Sequence, residues 1–139
     1  MAEAGIERLV LVDPDTIEVS SQRIRLHGID APESKQTCKR DGEKWRCGWD
    51  ATRALHDKIG KKPVRCEELD KDRYGRVIGK CFFAGEDINE WLVLRGWAVT
   101  YVRYSRDYMP VEATAKSEKR GVWAGEFVMP WEWRRNQRN

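Results

Sequence analysis

The chain has 139 residues, of which 40% are hydrophobic and 35% charged, with seven tryptophans. A chain of this length holds one domain with its own core, and its hydrophobic content excludes an intrinsically disordered protein. The net charge of +3 permits a polyanionic partner without requiring one.

Neither a membrane span nor an export signal is visible in the sequence. No run approaches the roughly 18 apolar residues of a transmembrane helix. The opening segment MAEAGIERLV lacks the charged and apolar regions of a signal peptide. We therefore expect either a cytosolic protein or an exported one whose leader has been removed.

The N-terminal part of the chain predicts three short strands. The apolar segment at 7–12 predicts the first, and the DPDT that follows predicts a turn because of its proline and aspartates. Residues 17–29 predict two more strands around a polar turn at 20–22. In the strand after this turn, apolar and polar residues alternate, so one face is apolar and the other polar.

After a long polar loop predicted at 31–47, helices and strands follow one another. The segment 48–60 has apolar residues at helical spacing and Gly60 at its C-terminal end. Asp87 and Glu90 have the spacing of a capping box, which predicts the start of a short helix. The elements predicted after the first helix are strands at 63–69 and 76–83, a helix at 86–96, an extended segment at 97–102 and a helix at about 107–120.

This order comprises five short strands, with one helix after the third strand and two helices after the fifth. Strands this short favour a small closed barrel, and the order is that of the OB-fold. We therefore predict an α+β, mainly β protein: a five-stranded OB-fold barrel with three α-helices. It forms a single domain over 1–139, with a core at about 8–125 and a tail rich in tryptophan and arginine at 126–139.

Four cysteines, Cys38, Cys47, Cys66 and Cys81, point to disulfide bonds. The first two bracket a polar loop and the last two bracket a predicted hairpin, so locality favours Cys38–Cys47 and Cys66–Cys81 among the possible pairings. Such bonds predict an oxidising compartment. Four reduced, buried thiols in a cytosolic protein are the alternative, and a zinc site is disfavoured because no CxxC motif is present.

Five charged residues, Asp15, Arg25, Asp30, Glu33 and Arg76, lie near predicted strand ends, which converge in a small barrel. Two carboxylates with carbonyls and waters suit a hard cation such as Ca²⁺ or Mg²⁺, and a further carboxylate can orient or deprotonate a water. Two arginines can hold a phosphate and stabilise the charge of its transition state. Together these groups predict hydrolysis of a phosphodiester.

Each of these charges also has an ordinary structural explanation. Taken singly, such residues in loops are most often solvated surface charges. In that case Asp15 only caps a turn, and Arg76 only pairs with Asp72. Tryptophans are usually core residues, so Tyr74 and Tyr101 are the better candidates for stacking on bases.

The chain resembles the staphylococcal nuclease-like family, also called the thermonuclease family. The resemblance extends from about residue 8 to 125, and RLHGIDAPE followed by DRYGR is a specific pair of motifs. The segments that occur in the family's order and approximate spacing are VDPDTIEV, RLHGIDAPE, DRYGR, LRGWA and AKSEKRGVW.

The resemblance implies an OB-fold, Ca²⁺-dependent endonuclease that acts on DNA and RNA, preferentially single-stranded. Such an enzyme cuts the bond between phosphorus and the 5′ oxygen and leaves 3′-phosphates. Asp15 and Asp30 match the calcium ligands, together with the backbone carbonyl of Ala31. Glu33 matches the carboxylate that acts on the nucleophilic water, either as base or as orienter.

The resemblance also assigns the substrate contacts. Arg25 and Arg76 match the two arginines that bind the phosphate under attack. The residues that match contacts to a neighbouring phosphate and to stacked bases are Arg73, Tyr74, Tyr101 and Tyr104.

One departure from the family lies beside the first ligand, where Pro14 stands in place of a frequent glycine and changes how Asp15 is aimed. The cysteine-bounded loop and hairpin resemble exported bacterial members, which implies a secreted or periplasmic protein, with a cytoplasmic one as the alternative. We expect a monomer with no membrane association and no obligate protein partner.

Two rival functions belong to other classes: a non-catalytic OB-fold module that binds nucleic acid, and an extracellular interaction domain with no nucleic-acid partner. The acidic residues favour the enzyme, because a pure binder does not need carboxylates beside a phosphate.

Overall fold

The structure of the protein, a computed structural model, describes residues 3–4, 9–13, 15–19, 22–60 and 62–138. Within these ranges the chain forms short strands, four α-helices and one 3₁₀-helix. The strands are β1 (Glu3–Ala4), β2 (Leu9–Asp13), β3 (Thr16–Val19), β4 (Gln22–Leu26), β5 (Ile29–Asp30), β6 (Cys38–Arg40), β7 (Glu43–Trp45), β8 (Arg65–Lys71), β9 (Val77–Phe83), β10 (Glu86–Asp87) and β11 (Val99–Thr100). The helices are α1 (Cys47–Ile59), α2 (Ile88–Leu94), α3 (Met109–Ser117) and α4 (Pro130–Gln137), with the 3₁₀-helix Gly121–Ala124 between the last two.

The main sheet runs in the order β1–β8–β9–β4–β3–β2, with β10 beside β9. Strands β4 and β9 are parallel, and the other neighbours are antiparallel. Two small sheets, β5–β11 and β6–β7, complete the fold. The predicted α+β class is confirmed.

The predicted closed barrel is not observed, because the main sheet ends at β1 on one side and at β2 on the other, and no hydrogen-bonded ladder joins these two strands among the described residues. Its two edge strands, β1 and β2, are consecutive in the chain. They are linked by residues 5–8, which lie outside the described residues, as does part of the predicted first strand at 7–12.

The alternation predicted for the strand after the polar turn is confirmed in β4. Ile24 and Leu26 are at most 1% exposed, and Ile17 and Val19 of the paired β3 are fully buried. Arg23, just before the first buried position of β4, is exposed, and Arg25, between the two buried positions, is half-buried. Burial of each large aliphatic side chain contributes about 1.5–3 kcal/mol, so this face anchors the sheet to the core.

Two helices close over the same core. In α1, Ala51, Leu55 and Ile59 are buried at helical spacing, as predicted. At the start of α2, the side chain of Asp87 accepts a hydrogen bond from the backbone N–H of Glu90 at 3.1 Å, which is the predicted cap.

Two features of the fold differ from the sequence prediction. The polar loop at 31–47 contains the β6–β7 hairpin, whose turn places Asp41 and Gly42 at positive φ. The described part of the chain also contains four α-helices rather than three, because α4 forms in the tail. The helix escaped prediction because its segment, PWEWRRNQ, has no apolar residues at helical spacing.

The four cysteines form Cys38–Cys47 and Cys66–Cys81, the pairs favoured by locality. The second bond joins directly paired residues of β8 and β9. All four cysteines are therefore oxidised, so the alternatives of reduced thiols and of a zinc site are both wrong. The two disulfides indicate folding in an oxidising, non-cytoplasmic compartment. Among the described residues no helix has the length and apolar character needed to cross a bilayer.

Candidate active site

Neighbouring strand ends bring three charged side chains together. Asp15 lies in the turn between β2 and β3, and Arg25 lies in β4 opposite Thr16 of β3. The backbone N–H of Leu26 donates to the carbonyl of Asp15 at 2.8 Å, which holds the turn against β4. Asp30 ends β5, which pairs with β11.

The guanidinium of Arg25 bridges the two aspartates. Its Nη1 lies 2.9 Å from Oδ2 of Asp15, and its Nη2 lies 3.5 Å from Oδ1 of Asp30. Oδ2 of Asp15 also accepts a hydrogen bond from the backbone N–H of Ala31 at 2.9 Å. Both aspartates are buried, Asp30 completely and Asp15 to 7% exposure, so their positions are fixed by the strands around them.

A second arginine, Arg134 of α4, binds the same acidic group. Its Nη2 and Nη1 lie 2.7 and 3.0 Å from the two carboxylate oxygens of Asp30. Its Nη1 also donates to Oε1 of Glu33 at 2.9 Å. The guanidinium therefore ties Asp30 to Glu33.

The burial of this site changes the acidity of its groups. Burial raises the pKa of Asp30 to about 6, with a further increase from the charge of Asp15, while the hydrogen bond from Arg134 opposes the rise. Asp30 is therefore mostly ionised at neutral pH. Burial alone would lower the pKa of Arg134, but its hydrogen bonds to Asp30 and Glu33 outweigh this and raise the pKa above the ordinary value.

An open cavity of about 820 Å³ lies over these residues. Arginine and tyrosine side chains form much of its wall, so it is suited to a polyanion that carries flat rings. The lining residues that the sequence analysis singled out are Asp15, Arg25, Glu33, Arg73, Tyr74, Arg76, Tyr101 and Tyr104.

Arg76 lies on the wall of this cavity, and its ion-pair partner there is Asp72 rather than Asp15 or Asp30. Its Nε lies 2.6 Å from Oδ2 of Asp72, and its side chain is 45% exposed. Asp72 also accepts hydrogen bonds from the backbone N–H groups of Tyr74 and Arg76, both at 2.9 Å. The pairing foreseen as the ordinary explanation of Arg76 is therefore present, on the wall of the same cavity as Arg25.

The tyrosines fall into two environments. Tyr74 and Tyr104 are strongly exposed, at 74% and 67%. Tyr101 is half-buried, because the ring of Trp131 from α4 stacks on it with centroids 5.1 Å apart and planes 8° apart. Tyr104 meets Tyr101 edge-on at 4.8 Å.

The sequence analysis missed both contacts from α4. Arg134 and Trp131 lie in a segment interpreted as a basic, tryptophan-rich tail, and the only signal was that composition. Nothing in the sequence distinguishes Arg134 from the other arginines of this tail as the one that binds Asp30, because the two residues are 104 positions apart.

The acidic residues fit a hard cation. The donors available are carboxylate oxygens, and Asp30 and Glu33 already bind the positive charge of Arg134. No group of three or more His, Cys, Asp or Glu side chains suited to a metal occurs in the part of the chain that the structure describes. A divalent ion would therefore depend on Asp15 and Asp30, completed by backbone oxygen and water.

Fold and site together define a small, disulfide-bonded α+β protein with paired carboxylates and arginines beneath a basic, aromatic cavity. The family model for staphylococcal nuclease homologues matches residues 23–125, about three quarters of the chain. The chain belongs to this family and is a hydrolase of the nuclease class.

Of three curated relatives, two have names that describe nucleases. The chain is similar to the succinoglycan biosynthesis protein ExoI of Rhizobium meliloti (strain 1021), with 39% identity over 129 residues that cover 90% of this chain and 68% of the relative. It is similar to an uncharacterized endonuclease of Escherichia coli, with 36% identity covering 89% of this chain and 80% of the relative. It is also 32% identical to the probable staphylococcal-like nuclease CAN1 of Oryza sativa subsp. japonica, of which it spans only 40%.

Proposed function

We propose that the protein is a Ca²⁺-dependent endonuclease that hydrolyses phosphodiester bonds of DNA and RNA at the P–O5′ bond and leaves 3′-phosphates. The observation that carries this proposal is the buried Asp15–Arg25–Asp30 cluster, with Glu33 beside it on a cavity walled by arginines. If these charges formed only a surface salt-bridge network, there would be no reason for the aspartates to be buried or for the network to lie beneath a cavity.

Each residue of the cluster has a separate task in this proposal. Asp15 and Asp30, with the carbonyl of Ala31, would hold Ca²⁺, which when bound supplies positive charge beside the phosphate. Glu33 orients or deprotonates the attacking water from its place on the cavity wall. Arg25 is held in place by two carboxylates and presents a fixed guanidinium to the phosphoryl oxygens.

Arg76 joins Arg25 on the phosphate once it exchanges its partner. Its side chain is 45% exposed and its guanidinium is paired with Asp72, so it can swing toward a bound phosphate at the cost of one exposed ion pair. Such pairs are worth about 0–1 kcal/mol, whereas a bidentate contact with a phosphate is stronger.

The substrate class follows from the rest of the cavity wall. Arg73 lies over the ring of Tyr74 at 5.2 Å, and this exposed pair suits a backbone phosphate beside a base. Tyr101 and Tyr104 supply aromatic faces for further bases. Stacked aromatics accept any base that is not already paired, which favours single-stranded DNA and RNA over duplexes.

The proposal extends to the whole molecule. We infer that the chain has an OB-like fold, as the family match suggests, and that the enzyme acts as a monomer. The two disulfides support export to the periplasm or the medium.

The decisive experiment follows cleavage of plasmid and single-stranded DNA in Ca²⁺ and then in excess EGTA. We expect cutting in Ca²⁺ only. The products should resist 3′ extension by a polymerase until a phosphatase removes the terminal phosphate. Cleavage that persists in EGTA, or products with free 3′-hydroxyls, would contradict the proposal.

A non-catalytic nucleic-acid-binding module is the second candidate. It is favoured by the bonds of Arg134 to Asp30 and Glu33, which neutralise the acidic residues and leave a basic, aromatic cavity wall. DNA retarded in a gel but never cut, at any Ca²⁺ concentration, would support this candidate.

A further inference from the structure

Helix α4 reaches the site with two side chains on one of its faces. Trp131 and Arg134 are three positions apart and therefore point the same way along the helix. Trp131 stacks on Tyr101, and Arg134 binds Asp30 and Glu33 at 2.7–3.0 Å.

Each of these side chains occupies a position that a ligand would occupy in the substrate complex. The guanidinium of Arg134 supplies to Asp30 the positive charge that a bound metal ion would otherwise supply, and it also binds Glu33, the carboxylate that would act on water. The indole of Trp131 covers a face of Tyr101 on which a base would stack. One helix therefore occupies both the acidic and the aromatic part of the cavity.

The contacts that hold α4 on the site can be replaced by contacts with a ligand. Pro130 is the only buried residue of this eight-residue helix. Helices shorter than about 12–15 residues are marginal by themselves, so α4 depends on its contacts with the rest of the protein. These are the contacts with the site and the packing of the half-buried Trp131 against the small hydrophobic cluster of Cys38, Cys47, Val99 and Val122. The segment just before it is held separately, by Glu126 paired with the backbone of Lys39 and by Gln36 donating to the carbonyl of Val128 at 2.7 Å.

The chemistry of Asp30 explains why the exchange requires another cation. Asp30 is fully buried, and its second partner, Arg25, is at 3.5 Å. Removing Arg134 alone leaves a buried carboxylate poorly compensated, which is costly. A cation arriving at Asp30 as Arg134 leaves restores the balance, and a base arriving at Tyr101 replaces the stacked indole.

We propose that α4 is an intramolecular cap that competes with the divalent cation and with single-stranded nucleic acid for the active site. This inference rests on the proposed function for the identity of the ligands. In the capped state Arg134 and Trp131 fill the site, and in the open state α4 is released while its upstream anchor stays in place.

The test compares two arginines that differ by one position. Arg134→Gln removes the capping charge, and Arg135→Gln removes the same charge from an exposed residue of the same helix. Ca²⁺ affinity is measured by titration calorimetry, and binding of a fluorescent oligothymidylate is measured in EGTA, where no metal is present.

We expect Arg134→Gln to bind Ca²⁺ roughly tenfold more tightly than the wild type, as for a site that is open in about one molecule in ten. It should also bind the oligothymidylate more tightly in EGTA despite its lost positive charge, whereas Arg135→Gln should bind it more weakly. Trp131→Ala leaves the acidic group intact and should likewise strengthen oligothymidylate binding, which keeps the test valid if Arg134→Gln fails to fold. In the wild type, Ca²⁺ should speed hydrogen exchange at residues 131–137.

Equal behaviour of Arg134→Gln and Arg135→Gln in both titrations overturns the cap, even if the wild type cuts DNA. Absence of any Ca²⁺ or oligothymidylate binding in all variants also overturns it, because nothing then competes with α4. Tighter oligothymidylate binding by Arg134→Gln without cleavage at any Ca²⁺ concentration supports the cap while the proposed nuclease mechanism fails.

Discussion

The site is built from two regions that are held in different ways. The strands β3 and β4 carry Arg25 above fully buried side chains such as Ile17 and Ile24, whereas α4 buries only Pro130. The first region fixes its charges through the core. The second binds Asp30, and Glu33 beside it, through polar contacts that another cation can replace, and it stacks on Tyr101 through a ring contact that a base can replace. Asp30 therefore binds one arginine that the core holds in place, Arg25, and one that can be replaced, Arg134. Each of the two regions can be changed separately by mutation.

The largest expected effect is the loss of the catalytic carboxylate, Glu33, to which Arg134 of α4 is bound. Glu33→Gln should lower kcat on single-stranded DNA by about 10³-fold, because an amide cannot accept a proton from water. This corresponds to about 4 kcal/mol of transition-state stabilisation. Steady-state kinetics in saturating Ca²⁺ measure it.

Glu43→Gln, on the exposed β6–β7 hairpin, is the matched control and should cut at the wild-type rate. A near-wild-type rate for Glu33→Gln, with a native circular dichroism spectrum, would remove Glu33 from the mechanism.

The next effect concerns how firmly the strands themselves are held. Replacing Cys66 and Cys81 together by alanine should lower the free energy of unfolding by about 3 kcal/mol, as expected for a cross-link that closes a loop of about 15 residues. Urea denaturation followed by tryptophan fluorescence measures it.

The double alanine variant of Cys38 and Cys47 provides the comparison. Its shorter loop predicts a slightly smaller loss, about 2.5 kcal/mol. A titration of denatured, unreduced wild-type protein should detect no free thiol. A larger loss from the shorter loop would mean that strain or packing, rather than chain entropy, dominates.

Among the predicted catalytic residues, Arg76 is the one whose present ion-pair partner, Asp72, can be replaced by a phosphate. Arg76→Ala should lower kcat/KM by about 10²-fold, or about 2.7 kcal/mol, since one phosphate ligand is lost in the transition state. Arg53→Ala, on the exposed face of α1, should be neutral. A neutral Arg76→Ala would mean that its pairing with Asp72 is its whole role.

The smallest expected effect is on stability at α4. Trp131→Ala should lower the free energy of unfolding by about 2 kcal/mol, because it removes the aromatic pair with Tyr101 and the packing of a half-buried indole. Ile24→Ala in the core should cost about 3 kcal/mol or more. Comparable losses for the two would show that α4 is part of the core, which contradicts its role as a releasable helix.

Local patterns explain which parts of the fold were predictable. The alternation in β4, the cap of Asp87 on α2 and the pairing of Cys66 with Cys81 each depend on residues near one another in the chain. The carboxylates and Arg25 also lie within a short stretch, so their meeting follows from one turn and two strands. The β6–β7 hairpin was missed because its segment, CKRDGEKW, has no apolar alternation to reveal a strand.

By itself, the sequence determined the α+β class, the disulfide partners, the family and the acidic and basic residues that carry its motifs. These depend on composition, spacing and short-range order. Only the tertiary structure decided that β4 runs parallel to β9, that Arg76 pairs with Asp72 on the cavity wall, and that Arg134 and Trp131 close over the site. A contact between residues 104 positions apart leaves no periodic trace in either segment, because it is selected by the packing of the whole chain.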